Sequence, residues 1–270
     1  MRVVSLTNID QIRAFLETDR EWAAYALADL GLPYSQHAEW FGADDDGTLR
    51  SIALHYGGLP HGRLIFTMGQ SIGIEAILDE AISFAMLLAL SIRAEHLAAF
   101  QARYQFDGPF GYLQPMWRMT LDTADFKPSP GAVVRLKPPD AGLIQQIYAA
   151  GGGGDAFAPS QLATGTCFGA RVGSRLLAVA GTHVVSDEYS VAAVGNVGTH
   201  PDHRGKGYAT VATSAVCAAL LDRGIRTIVL NVAQNNLAAI RVYEKLGFKK
   251  YVPFYEGQVN YKPEAIASIP

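Results

Sequence analysis

An arginine, a lysine, two histidines and two glycines crowd into one twelve-residue stretch, THPDHRGKGYAT, from Thr199 to Thr210. A β-type run ends within it at Pro201, and an apolar helical pattern with Ala209, Ala212, Val216, Ala219 and Leu220 on one side begins near Lys206. A glycine turn that opens a helix presents unpaired amides and the positive end of the helix dipole. Glycines also let an anion approach the backbone without side-chain obstruction, and Arg204 and Lys206 add charge. The chemistry on offer is anion binding, although a solvated surface turn would use the same residue types. Two familiar phosphate loops are excluded by spacing. A P-loop would need glycine at His200 and Ser or Thr at Gly207, and a dinucleotide fingerprint would need glycine at Thr210.

The next segment, LNVAQNNLAAIRVYEKLGF from Leu230 to Phe248, reads as a strand passing through Asn235-Asn236 into a helix. Asn236 and Tyr243 stand two turns apart on one helical face, leaving Leu237, Ile240 and Leu246 for the core. Taken alone, the asparagine is a helix cap and the tyrosine a groove filler.

Composition narrows the remaining possibilities. With 270 residues, 49% of them hydrophobic, the chain can bury a large core, and a net charge of -3 gives no global attraction to nucleic acid or an anionic membrane. The oily run Ala81–Ile92 is shorter than a membrane span and reads as a buried helix. Cys167 and Cys217 show no CxxC or zinc spacing, and the N-terminus carries no signal-like pattern. A cytoplasmic protein with free thiols is expected. His200 and His203 lack a third ligand nearby, so no metal is expected. Gly151 to Gly154 read as a loop, since the following DAFAPS offers no lysine and no apolar helix face.

Internal repetition organises the chain. VVSLTNID (from Val3) and VVRLKPPD (from Val133) share VVxLxxxD, and FGADDDGTLRSIA (from Phe41) and FGARVGSRLLAVA (from Phe168) share their register. HLAAF (from His96) and NLAAI (from Asn236) follow, each trailed by Pro-Phe, at Pro109-Phe110 and Pro253-Phe254. Two copies of one α/β unit are expected, 1–126 and 127–270, joined through the proline- and glycine-containing Asp125–Gly131. In the second copy strands are expected near 132–136, 166–171, 175–184, 189–199, 226–232 and 253–261, with helices near 206–223 and 236–246.

Together the two motifs resemble the GCN5-related N-acetyltransferase (GNAT) family. HRGKGYA is similar to that family's Arg/Gln-x-x-Gly-x-Gly/Ala loop, met by Arg204, Gly207 and Ala209, and NNLAAIRVYEKLGF to its later asparagine and Tyr-Glu-x-x-Gly-Phe helix. The resemblance covers about 132–262 and implies tandem domains, each a mostly antiparallel sheet flanked by helices. It implies an acyl-CoA donor, most often acetyl-CoA, and an amine acceptor, a small molecule or a peptide amine. Backbone amides of His203, Arg204, Gly205, Lys206, Gly207, Tyr208 and Ala209 would hold the pyrophosphate. Val197, Gly198 and Thr199 would pair with the pantetheine, and Asn236 would bond it from the other side. An amide near Val197 or Gly198 would serve as oxyanion donor, and Tyr243 would protonate the leaving thiolate. A longer acyl chain is equally compatible with these motifs.

The chain departs from the family pattern in having no glutamate in SVAAVGNVGT, the strand before the loop. Asn196 holding a water, Asp187, Glu188, His183, His200 and Glu256 are the candidate bases. The alternative is a CoA-binding sensor or interaction module without catalysis. The first copy offers TMGQSIGIEAILDEAISF where the loop should stand, without a basic residue, so it is expected to be a degenerate domain that binds no CoA. Its DREWAAYALADL segment, with Trp22 and Tyr25, is expected to pack the core or line the acceptor cleft. A monomer or a homodimer fits equally well.

Overall fold

The computed structural model describes residues 1–59, 62–82, 87–106, 111–153, 157–173 and 175–261. Pro109-Phe110 of the repeat and Gly154, Asp155 and Ala156 of the glycine-rich loop lie outside the described residues. The chain forms two compact units, Met1–Trp117 with Val252–Pro270, and Arg118–Tyr251.

Unit 1 begins with β1 (Arg2–Leu6), α1 (Ile9–Leu16) and α2 (Ala24–Ala28), followed by β2 (Ala38–Asp45), β3 (Thr48–Tyr56) and β4 (Arg63–Gly69). Then come α3 (Ser71–Glu80), β5 (Leu87–Arg93), α4 (Leu97–Gln101), β6 (Tyr104–Gln105) and β7 (Tyr112–Leu121), which runs on into unit 2. In unit 2, β8 (Val134–Arg135), α5 (Ala141–Ile147), α6 (Gln161–Thr164), β9 (Phe168–Val172) and β10 (Arg175–Ser186) precede β11 (Val191–Thr199). The remaining elements are α7 (Tyr208–Asp222), β12 (Thr227–Ala233), α8 (Leu237–Leu246) and β13 (Lys249–Tyr261).

The sheet of unit 1 runs β1-β2-β3-β4-β5-β13, and that of unit 2 runs β8-β9-β10-β11-β12-β7. Neighbours from β1 to β4, β5 with β13, and neighbours from β8 to β11 pair antiparallel, whereas β4 with β5 in unit 1 and β11 with β12 in unit 2 pair parallel. In unit 1 the α3 and α4 face is packed by Ile74, Ile77, Leu78 and Phe100, while Ile12, Leu16, Trp22 and Leu27 are buried in α1, α2 and the turn between them. In unit 2 Leu136, Ile144, Ile147, Leu162 and Val179 form one core cluster, and α7 packs on β9, β10 and β11 through small residues. Strands covered on both faces lose their polar alternation, which is why VAAV at the start of β11 reads as an unbroken apolar run.

The structure differs from the sequence reading at two points. Residues 83–86 of the run Ala81–Ile92 lie outside the described residues, and the described part is not the expected helix: α3 has ended at Glu80, and Leu87–Arg93 is β5, paired to β4 and β13. A short apolar run has no period of its own, and burial on both faces suits a central strand. The compact units also divide inside β7 rather than at 126/127, and the last strand counts with unit 1. The physical reason is pairing. β13 hydrogen-bonds to β5 from Phe254 to Asn260, and the Pro/Gly-rich segment is docked onto α7, where Ser129 N donates to Ser214 Oγ at 2.8 Å. Among the described residues, no helix is long and apolar enough to cross a membrane.

Candidate functional site

Parallel pairing between β11 and β12 stops at Val194 and Leu230, although β11 continues to Thr199. Beyond that point β11 also loses register with β10. Gly195 pairs with Gly181 and Gly198 with Val179, so Asn196 and Val197 together oppose Ala180 alone. Such a bulge turns backbone groups out of the ladder and re-aims the strand. Asn196 adopts φ 53°, a left-handed conformation that costs a non-glycine residue on the order of 1 kcal/mol and persists only where surroundings enforce it.

Three neighbours enforce it. Tyr148 Oη donates to the Asn196 carbonyl at 2.7 Å, and Asn196 Nδ2 donates to Gln161 Oε1 at 2.9 Å. His183 stands over Gly195, with Nε2 2.3 Å from where a Cβ would be, so position 195 tolerates no side chain while the imidazole is in place. Burial pushes His183 down to about 4, against the opposing pull of Asn196, so the ring is neutral at pH 7. Burial likewise holds the Tyr148 phenol protonated.

The loop after β11 contains a short helical turn, Pro201–His203, then Gly205 and Gly207 at φ 74° and 82°. A side chain at either glycine would strain the backbone, yet a Cβ at either would meet nothing within 4 Å. The constraint is conformational, and the space beside it is open. Gly207 caps α7 without any side-chain hydrogen bond, and Val211 N is the first amide to reach back, to the Gly207 carbonyl. The preceding first-turn amides therefore have no intrahelical acceptor. Arg204 Nη2 donates to the Gly151 carbonyl, and Lys206 Nζ to the Asp202 carbonyl at 3.2 Å, which ties down two exposed cations beside that helix end.

Asn236 caps α8 by accepting from Ala239 N at 3.1 Å, leaving its Nδ2 as an exposed donor. Tyr243 is buried, 7% exposed, with Phe248 at 6.0 Å between ring centroids. Burial first, and the nearby Cys217 second, keep its phenol protonated well past neutrality. Ile240 and Leu246 are buried as expected, but Leu237 at the first position of α8 is 57% exposed, because a helix's first turn has no preceding turn to cover it.

Of the candidate bases, Asp187 is held by Arg223 through two 2.5 Å hydrogen bonds in the β10–β11 turn, at the opposite end of β11 from Thr199, and Glu188 is exposed in the same turn. Glu256 lies on β13 opposite Ser91 of unit 1. His200 Nε2 has Arg175 Nη2 at 3.4 Å. The structure thus brings Asn196, Val197 and His183 together and leaves the carboxylates elsewhere. Tyr148 and Gln161 had no sequence signal, since a lone Tyr or Gln in a loop or short helix announces no partner. Both cysteines are buried and free, and the described residues contain no metal-binding cluster of His, Cys, Asp or Glu.

The corresponding place in unit 1 is built differently. Counting from the first parallel pair, Arg63 with Leu88 against Val191 with Thr227, Thr67 corresponds to Gly195 and Gly69 to Val197. β4 keeps its ladder to β3 without a bulge through Gly69, and Gln70 alone links it to α3. Trp22 Nε1 donates to the Thr67 carbonyl at 3.0 Å, and His96 Nε2 to the Gly69 carbonyl at 3.0 Å. Because a carbonyl only accepts, His96 carries its proton on Nε2, and Nδ1 accepts from Thr67 Oγ1 at 2.8 Å. Trp22 and His96 are fully buried.

Residues 148–248 match the acetyltransferase (GNAT) family. A mycothiol acetyltransferase of Thermobispora bispora is 42% identical over 55 residues, which is 20% of this chain and 19% of that protein, so the match spans about a fifth of the relative's length. A putative GNAT-family acetyltransferase structure from Novosphingobium aromaticivorans superposes with a TM-score of 0.60 at 20% identity, covering 90% of this chain and all (100%) of that one. A tandem GNAT protein from the clavulanic acid biosynthesis pathway gives 0.54 at 14% identity over 97% of this chain and 99% of its own. At these identities the structural likeness is one of fold.

Proposed function

We propose that this chain, which belongs to the acetyltransferase (GNAT) family through residues 148–248, is an acyl-CoA-dependent N-acyltransferase with its donor site in unit 2. The observation that carries the reading is the unbroken sequence of three features: the β11 bulge at Asn196–Val197, two left-handed glycines, and the uncapped start of α7. A strand end freed from β12, a left-handed glycine turn and a helix start without a side-chain cap follow one another along the chain, which suits a ligand that is an amide-bearing arm ending in a pyrophosphate.

Within this reading, amides of His203 to Ala209, with Arg204 and Lys206, take the pyrophosphate of acetyl-CoA. Val197, Gly198 and Thr199 pair with the pantetheine, and Asn236 donates to it. The amide of Val197, released by the bulge, stabilises the oxyanion that forms when the amine attacks the thioester carbonyl. The C–N bond forms, the C–S bond breaks, the amine nitrogen gives up one proton to solvent water, and the sulfur leaves as a thiolate that takes a proton from Tyr243, which solvent then reprotonates. The raised phenol makes Tyr243 a reluctant acid but guarantees that it carries a proton at neutral pH. At about 4, His183 is too weak a base to deprotonate an ammonium, so its role is to hold the bulge. The acceptor then enters as its free amine, and kcat/KM rises with pH toward the acceptor's own pKa.

The unit-1 counterpart is read as a degenerate copy without donor binding, and two buried reduced thiols fit a cytoplasmic setting. A thiol-release assay with acetyl-CoA and pooled small amines and peptides tests the whole proposal. Acceptor-dependent release is expected. CoA binding without release under any acceptor would identify a sensor instead. Tyr243→Phe should lower kcat by about 10- to 100-fold with donor affinity retained; unchanged kcat would remove Tyr243 from the chemistry.

A further inference from the structure

We propose that unit 2 carries a second small-molecule site, a pocket for an organic monocarboxylate with a short apolar body, in which Arg175 and His200 take the carboxylate above Leu143, Ile147 and Leu176. The pocket lies on the β10 side of β11, whereas the donor groove proposed above opens on the β12 side, so the site stands whether or not CoA is the donor.

Unequal strand lengths create the pocket. The ladder between β10 and β11 ends at Ala178 opposite Thr199, and β10 extends beyond that point to Arg175. His200 N adds one more bond, to the Leu177 carbonyl at 2.9 Å, which sets the imidazole beside Arg175. α5 packs against β10 and contributes Leu143, Gln146 and Ile147. With Leu176 these residues border an open cavity of about 330 Å³, at the small end of the range for ligand pockets. Ile147 and Leu176 belong to the core cluster of unit 2 and Leu143 packs against it, so the floor is apolar.

The polar edge is made of donors. Asp202 N donates to His200 Nδ1 at 3.4 Å. An amide can only donate, so Nδ1 accepts and the ring proton sits on Nε2. Arg175 Nη2 lies 3.4 Å from that Nε2, so two N–H donors face each other and neither can accept from the other. Arg171 and Arg223 of the same unit have acidic partners, Asp140 and Asp187, but among the described residues no carboxylate is within ion-pair distance of Arg175. The exposed Asp202 carboxylate stands by the other ring nitrogen, 3.7 Å from Nδ1. His203, its ring centroid 5.6 Å from that of His200, is held below the usual imidazole range by burial first and then by the cations Lys206 and Arg175.

An oxyanion laid against this pair takes a hydrogen bond from each nitrogen, and a guanidinium matches the planar geometry of a carboxylate. Arg175 supplies one full charge and His200 a neutral donor, which together balance a monoanion; a phosphate dianion would lack its second cation in the pocket. The apolar floor favours a hydrocarbon body, which selects a branched or aromatic acid over acetate.

The test is NMR titration of the full chain with sodium benzoate, followed at the imidazole resonances that His200→Gln removes, with benzamide as the neutral isostere and sodium chloride at matched ionic strength. Benzoate should shift the His200 signals saturably, and benzamide should bind at least about tenfold more weakly. Arg175→Ala, a change at an exposed side chain, should lower benzoate affinity by about tenfold or more, and Arg175→Lys, which keeps the charge without the fork, by a smaller factor. With CoA present the benzoate shifts should remain, because the two ligands occupy opposite sides of β11. No saturable shift, equal binding of benzamide, undiminished affinity in Arg175→Ala, or displacement of benzoate by CoA would each overturn the site, the last by assigning Arg175 and His200 to the donor. Failure of CoA itself to bind would count against the donor reading and leave the benzoate result intact.

Discussion

The ends of β4 and β11 are the same structural place reached by two different sequences. Both strands leave a parallel partner and run into a helix. In unit 1 the last carbonyls are closed by the chain's own side chains, Trp22 on Thr67 and His96 on Gly69, and a single residue leads into α3. In unit 2 the same stretch leaves its parallel partner, bulges against β10, and continues through a glycine loop into an uncapped helix. Backbone polar groups in a folded protein are nearly always paired. A strand end left open is therefore a place for a ligand, and one closed by a tryptophan and a histidine is a place for a core. The difference teaches that ligand capacity lies in who satisfies the backbone, and not in the fold both units share.

The harshest way to break this comparison is to give unit 2 the connection of unit 1, replacing His200–Gly207 with one glutamine. Several charge-assisted contacts to a pyrophosphate are removed together, each worth about 1.5–3 kcal/mol, so CoA affinity should fall by more than about 100-fold in calorimetry. Gly207→Val keeps the loop length and forces a β-branched residue into φ 82°, and should weaken CoA binding by about tenfold if the fold survives intact. Retained affinity in both variants would place the donor elsewhere.

Next in size is the reverse operation on unit 1. Trp22→Ala removes the plug and its packing against Phe66 and Phe254, whose ring centroids lie 5.2 and 5.3 Å away. Loss of a buried tryptophan should cost about 3–5 kcal/mol in denaturant unfolding. It should not create a donor site, because no glycine loop follows β4. One CoA per chain is expected before and after the change, and a stoichiometry of two would contradict the reading of unit 1 as closed.

Much of this contrast was legible in the sequence, and the illegible part has a common cause. The left-handed glycines of the loop and the Asn236 cap were legible because those residue types are tied to local backbone chemistry. The repeat gave the copies, and the β11, β12, α7 and α8 spans fell within a few residues of expectation. The identity of β5 was missed because LLALSIR has no period to separate a buried strand from a helix. Tyr148 and the His96 plug were missed as functional groups because each acts on a backbone atom far along the chain, as Tyr148 does on Asn196, and Gln161 because it meets the Asn196 side chain 35 residues away. Such contacts are made by topology, and nothing local in a tyrosine or histidine announces them.

The comparison also extends to pH dependence, because Asp29 in unit 1 and His183 in unit 2 are buried titratable groups of opposite sign. Asp29 in unit 1 is raised from 3.8 to about 7, so the folded state holds its proton more tightly than the unfolded one. That stabilisation is complete below pH 3.8 and is lost as pH rises through 7. His183 in unit 2 is lowered from 6.5 to about 4, so its contribution is complete above pH 6.5 and is lost as pH falls through 4. His55 and His96 of unit 1 are also lowered by burial and tilt the same way as His183, so raw slopes of the wild type mix these terms. Differences between variants separate them. Between pH 5 and 8, Asp29→Asn should gain about 2–3 kcal/mol relative to wild type. Between pH 7 and 5, His183→Gln should be spared about 2 kcal/mol of the loss that wild type suffers. The same sign of pH dependence for both variants would mean that Asp29 is not a carboxyl raised by burial or that His183 is not a neutral buried imidazole.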